Sequence, residues 1–209
     1  MTVQTLRRIF NKIDALFDRG AITHELHYSR GGKEPGRLLT ARQAYMIIQP
    51  AAREFDTQAR LKAIAAPQGA GVDGAGSHWE FFFDLPRRRA QLGCTWSLAW
   101  DEAADAWGPA RIEINARPFP AEGGPIRQLV ADGSLLHRQL YGLWEQERTR
   151  RADLPDTFRD TPAVMAELTR QGLDLAQDEF SLNTEPAAAG RTVWTARSRQ
   201  KTWSTDFLK

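Results

Sequence analysis

Cysteine is nearly absent from this chain. Cys94 is the only one in 209 residues, which excludes an intramolecular disulfide and any multi-cysteine zinc site. Its surroundings, LGCTWSLAW, are apolar, so it reads as a buried structural thiol rather than a nucleophile. Long hydrophobic runs are missing as well. No stretch approaches the roughly 20 apolar residues that span a bilayer. The amphipathic start MTVQTLRRIFNKIDALF lacks the continuous apolar segment and cleavage site of a secretory signal. A soluble, cytoplasmic protein without membrane contact is expected. Net charge is low too: 28 basic side chains nearly cancel 26 acidic ones, so no overall field drives the chain onto nucleic acid or anionic lipid. With four histidines and no recognisable Ser-His-Asp spacing, histidine-based catalysis has few candidates.

What remains is globular material in quantity. The hydrophobic share of 42% suffices for a sizeable core, as one large or two small domains. Val3, Leu6, Ile9, Phe10, Ile13, Leu16 and Phe17 recur at helical spacing and predict an amphipathic N-terminal helix stopped near Gly20. AITHELHYS then alternates as a short strand, and RGGKEPGR reads as a loop. Thr40 is a candidate N-cap for ARQAYMIIQPAAREF, a helix that Pro50 should kink or divide. ARLKAIAAP fits helix or strand equally. SHWEFFFDLP, QLGCTWSLAW and WGPARIEINARPF each alternate with period two and are joined by short turns, which predicts an antiparallel meander. The run from GGPIRQLV to RRADLP is mostly helical. Thr161 as N-cap, with Pro162 at the first helical position, opens a further helix, TPAVMAELTRQGLDLA, and FSLNTE, GRTVWTARS and KTWSTDFL close the chain as strands.

The triplet Thr-Trp-Ser occurs twice, around Trp96 and around Trp203, on the corresponding strand of two similar successions of elements. Trp79 and Trp96 answer to Trp194 and Trp203, which favours an internal duplication. The expected fold is α+β: two related units, each a helix packed on an antiparallel sheet, preceded by the N-terminal amphipathic helix. Residues 1-38 would form the N-terminal helix and strand, 39-155 the first helix-plus-meander unit with its following helix, and 156-209 a second, shorter unit. The stretch AREFDTQARLKAIAAPQGAGVDGAGSHWEFFFD resembles PepSY-like modules, in which a helix leads into a strand, a glycine-bearing turn and a strand with an aromatic centre. RDTPAVMAELTRQG followed by TVWTARS is similar to a shorter copy. The resemblance covers residues 40 to 117 and 160 to 208. It implies that ARLKAIAA is a strand, and it implies a small unit associated with binding, inhibition or regulation, with no catalytic residues to carry over. Such modules are commonly exported or membrane-attached, and this chain departs from them in showing no signal.

Several constellations invite chemistry. His24-Glu25-Leu26-His27 looks like a metal motif, but zincin ligands need His-Glu-x-x-His on a helix, and a strand sends the two rings to opposite faces. Glu80, Asp84, Asp101 and Glu113 lie on or beside the meander, where carboxylates can hold Mg²⁺ for hydrolysis. A nuclease-like site would want a lysine where Asn115 stands. The wet face of a sheet is the better reading. Arg87, Arg88 and Arg89, with Arg148, Arg150 and Arg151, form two basic clusters suited to phosphates. GAGVDGAG lacks the Lys-Ser/Thr ending of a phosphate loop and precedes a strand, so it is a turn.

Among seven tryptophans, Trp144 and Trp203 are the candidate partner-binding anchors. The expectation is therefore a non-enzymatic binding or regulatory protein recognising a protein or peptide, with no cofactor, no metal and no assigned catalytic residue. Self-association is left open. A nucleic-acid-associated protein using the two arginine clusters is the alternative, and a metal-dependent hydrolase using Glu80, Asp84 and Glu113 comes third.

Overall fold

A computed structural model describes residues 26–118 and 152–208. The chain begins with strand β1 (Leu26–Pro35), followed by helix α1 (Ala41–Phe55) and strand β2 (Arg60–Ala66). Strands β3 (His78–Leu85) and β4 (Ala90–Ser97) form a hairpin, a small excursion follows as β5 (Trp100–Asp101) and β6 (Ala106–Trp107), and β7 (Pro109–Pro118) returns. The second described segment holds helix α2 (Thr161–Arg170), β8 (Phe180–Pro186), a 3-10 turn, β9 (Thr192–Ser198) and β10 (Thr202–Asp206). The architecture is α+β, with two helices and a largely antiparallel sheet among the described residues.

Eight strands make one sheet in the order β1-β7-β4-β3-β2-β8-β9-β10, and β5 and β6 pair separately. Ala65 faces Asn183 and Ala66 faces Leu182, so the first strand after each helix meets its counterpart antiparallel in the middle of the sheet. The sheet is thereby continuous between the 39-155 and 156-209 segments. Period-two alternation sets its two faces. Trp79, Phe81, Phe83 and Leu85 of β3 are buried, while His78, Glu80, Phe82 and Asp84 point the other way. Helices α1 and α2 and the buried strand positions contribute to one hydrophobic cluster. Phe158 links its halves, with its ring 5.6 Å from Tyr45 and 6.2 Å from Trp194.

Helix α1 starts where the sequence places it. Thr40 and Gln43 form a reciprocal capping box, and Ala44, Tyr45, Ile48, Ala51, Ala52 and Phe55 make the buried stripe. It stays in one piece across Pro50. Proline leaves the carbonyl four residues back, that of Met46, without its helical donor. Met46 itself is 66% exposed.

Other expectations are corrected. RGGKEPGR is not a loop throughout, because β1 continues to Pro35 against β7 with a register irregularity after Gly31. The close approach of Gly32 to the Ala110 carbonyl, 3.3 Å from where a Cβ would stand, explains a small residue there. QLGCTWSLAW is not a single strand: β4 ends at Ser97, and Trp100 begins the separate hairpin. One expectation holds: ARLKAIAA, open between helix and strand by its spacing and implied to be a strand by the resemblance, is strand β2, with a bulge between Leu61 and Ala63 that turns Lys62 toward Asp84 and Asp153. Asp160 caps α2, one residue before the expected Thr161. The expected N-terminal helix and most of the expected helix between 123 and 155 lie outside the described residues. Residues 152 to 155 are in neither helix nor strand, with Leu154 N–H donating to the Leu61 carbonyl at 2.7 Å.

Candidate functional site

Three places concentrate polar chemistry: the outer sheet face, the junction of the helix N-termini, and the cleft beside the β9–β10 turn. On the outer face, Glu80 and Glu113 occupy one cross-strand row, separated by Thr95 of β4. Two strand spacings put their backbones about 10 Å apart, and Asp84 lies about 13 Å along β3. Each carboxylate has its own basic neighbour: His78 is 3.1 Å from Glu80, Lys62 is 3.5 Å from Asp84, and Arg111 is 3.0 Å from Glu113. The three therefore do not converge on a common point. Asp101 starts the β5–β6 turn, where its Oδ1 accepts from the Ala103 and Ala104 amides. Among the described residues no group of three or more His, Cys, Asp or Glu is placed to hold a metal ion. His24 and Glu25 lie outside them, and His27 is exposed with its Nδ1 against Asn115 Oδ1. On the same face the Phe82 ring lies over Gly93, 3.8 Å from where a Cβ would stand.

The arginine turn between β3 and β4 is partly structural. Arg88 is 8% exposed, and its Nε–H donates to the Phe55 carbonyl at 3.0 Å while its guanidinium lies over the Phe55 ring. Asp56, also buried, accepts from the Arg87 and Arg88 amides at 2.8 and 3.4 Å. Arg87 reaches Thr57 Oγ1 at 3.1 Å. Only Arg87 and Arg89 of this cluster face solvent. Arg148, Arg150, Arg151 and Trp144 lie outside the described residues. Trp203 is 7% exposed and packs in the core, so its ring is a packing element and not an exposed anchor. Exposed aromatic surface instead occurs at Trp100, 49% exposed, which meets Trp107 edge to face at 5.2 Å.

The helix N-termini meet each other. Asp160 caps α2 by accepting from the Thr161 amide at 2.8 Å, and it accepts from the Arg42 amide at 3.0 Å and the Thr40 hydroxyl at 2.9 Å. Thr161 Oγ1 accepts from the Ala41 amide at 3.1 Å and donates to the Gly74 carbonyl at 2.6 Å. A side chain at Gly74 would collide with Thr161 and Pro162, and its φ of 72° suits glycine. Trp79 Nε1–H donates to the Leu39 carbonyl at 2.8 Å, and Trp194 Nε1–H to the Arg159 carbonyl at 3.2 Å. Leu39 and Arg159 each immediately precede a helix cap.

A cleft of about 670 Å³ opens between the α2–β8 connection and the β9–β10 turn, and an adjoining one of about 830 Å³ extends from it to Pro67, Gln68, Ala70 and Gly71 of the β2–β3 connection. Asp174, Asp178 and Glu179 form one wall, and Arg199 and Lys201 the other. The sequence reading missed these five residues. Their only signal is charge in the two connections DLAQDE and RSRQK, which is indistinguishable from ordinary loop composition. No protein-family model, curated protein or solved structure matches the chain.

Proposed function

We propose that this is a non-enzymatic binding or regulatory protein that recognises an extended segment of a protein or peptide along strand β10. The reading includes a duplicated architecture of two related, PepSY-like helix-plus-sheet units. In units related by a two-fold axis, equivalent residues touch at the axis. Thr40 with Asp160, Ala41 with Thr161 and Ile64 with Thr184 are all bonded pairs, and each pair is separated by 120 residues. The matched indole bonds of Trp79 and Trp194 support the same correspondence, and the Thr-Trp-Ser triplets fall on the matching strands β4 and β10 but two residues out of step, since Trp79 pairs with Trp96 while Trp194 pairs with Thr205.

One observation carries the functional part. In the first unit the outer edge of β4 is covered along its length by β7, from Ala90 with Pro118 to Ser97 with Arg111. The equivalent strand β10 ends the sheet among the described residues. The bonds from Ser198 N–H to the Lys201 carbonyl and from Phe207 N–H to the Thr192 carbonyl fix the phase of the β9–β10 ladder. Trp203 and Thr205 thus direct their backbone groups toward β9, while Thr202 and Ser204 direct theirs outward, where no described residue meets them. An open edge of this kind accepts an added strand, with main-chain bonds giving affinity and alternate side chains giving selectivity.

Ser204→Pro tests this, because it removes an outward N–H and no bond to β9. A random peptide display library is selected on the wild-type protein and re-screened on the variant. Enriched peptides that bind wild type and lose at least about tenfold on the variant, with unchanged circular dichroism, support strand addition. No enrichment, or equal binding to both, defeats it. Fluorescence anisotropy with DNA and RNA at low salt covers the alternative: binding that disappears in an Arg87→Ala, Arg89→Ala variant would transfer the reading to nucleic acid.

A further inference from the structure

We infer that the cleft between the α2–β8 connection and the β9–β10 turn is a binding site for dipolar, peptide-like ligands that carry a cationic group and a carboxylate a few residues apart. The comparison that leads there lies within the molecule. At the end of α1, the connection spans 56 to 59 and docks on the β3–β4 turn. Asp56 takes two amides of that turn, Arg87 reaches Thr57, and Arg88 reaches the Phe55 carbonyl, so carboxylate and guanidinium chemistry is satisfied by the chain itself. At the end of α2 the same parts recur in the same order: helix end, connection, hairpin turn. Here the connection is longer, from 171 to 179, and the two sides stand apart around a cleft of about 670 Å³.

The walls carry opposite charge. Asp174, Asp178 and Glu179 line one, Arg199 and Lys201 the other, and among the described residues no ion pair spans the gap. Both walls are held in shape before any ligand arrives. Asp178 Oδ2 accepts from the Asp174 amide and Asp174 Oδ1 from the Ala176 amide, each at 3.0 Å. The opposite turn is closed by Ser198 N–H on the Lys201 carbonyl at 2.9 Å, with Ser198 Oγ accepting from the Lys201 amide at 3.1 Å. Such preorganisation lowers the ordering cost of binding. A ligand with one charge gains at one wall and is repelled at the other, whereas a dipolar ligand gains at both. Peptide groups between the two charges can meet the intervening polar surface, as the Arg87 and Arg88 amides meet Asp56 at the closed junction. The inference depends on the charges of two connections and not on strand addition to β10, so the two readings fail separately.

The test is an NMR titration of the full chain with acetylated, amidated peptides Lys-(Gly)n-Glu, n from one to three, and with controls in which glutamine replaces either charged residue. The expected result is shift changes at amides of 172–179 and 198–201 for at least one dipolar peptide, with each control weaker by about tenfold or more. Arg199→Glu should weaken the response, and Lys201→Glu added to Arg199→Glu should abolish it, because both walls are then acidic. Folding of both variants is checked by circular dichroism. Equal binding of singly charged controls, shifts confined to other parts of the molecule, or no response at millimolar peptide overturns the inference.

Discussion

Tyr45 and Cys94 are held in their neutral forms by the fold. Burial pushes the Tyr45 hydroxyl well above the usual tyrosine range, reinforced by its hydrogen bond and charge contact with Asp156, while nearby Arg53 opposes the shift. The Cys94 thiol is pushed up by burial alone. In an unfolded chain these groups ionise near about 8.5 for cysteine and 10 for tyrosine. The unfolded state therefore releases protons that the folded state retains as pH rises through those values. The stabilisation from each group is fully present below its unfolded value and is lost above it, by at most about 1.4 kcal/mol per pH unit per group. Urea unfolding between pH 7 and 10.5 should show this decline, and Tyr45→Phe and Cys94→Ala should each make it shallower whatever they do to stability at pH 7. An unchanged slope in both variants contradicts it. The buried thiol was legible from its apolar neighbours; the Tyr45–Asp156 contact was not, because 111 residues separate the partners.

At the scale of elements, the two helices are coupled through one side chain. Asp160 caps α2 and also accepts from Thr40 and Arg42 at the start of α1, so one carboxylate serves two helix N-termini and both positive dipole ends. Asp160→Ala should cost about 2–4 kcal/mol, more than an ordinary cap at about 1 kcal/mol, because donors on both helices lose their partner. Asp160→Asn keeps an acceptor and should lose less. Chemical denaturation of the three proteins checks the ranking, and a loss no larger than that of a single cap rejects the shared role. Thr40 was readable as a cap because its partner Gln43 lies three residues on. Asp160 precedes Thr161-Pro162 and is equally local as a cap, yet its service to α1 depends on helices that meet only in the folded chain.

For the whole molecule, the β2–β8 pair and the shared core predict cooperative unfolding. Core residues from Leu39 to Phe207 belong to one cluster, and neither segment can bury its sheet edge and helix contacts without the other. Calorimetry should give a single transition with calorimetric and van't Hoff enthalpies in agreement. A chain ending after residue 155 should expose β2 and the Tyr45 side of the core, and it should be aggregation-prone or unfolded by circular dichroism. Two separable transitions, or a soluble folded truncation, would contradict this.

Local information determined much of this protein. Period-two alternation specified β3, β4, β7 and the three C-terminal strands, and helical spacing specified α1 and α2. Those features are legible because strand and helix periods act over a few residues and because apolar side chains are forced to one face. Tertiary structure alone decided that both segments share one sheet, that β10 ends it among the described residues, that Trp203 is buried, that Arg88 closes a helix end, and that charged connections face one another across a cleft. The physical reason is sequence separation. Pairing β2 with β8, or Asp56 with the arginine turn, depends on where distant parts of the chain come to rest, and neither periodicity nor composition encodes that distance.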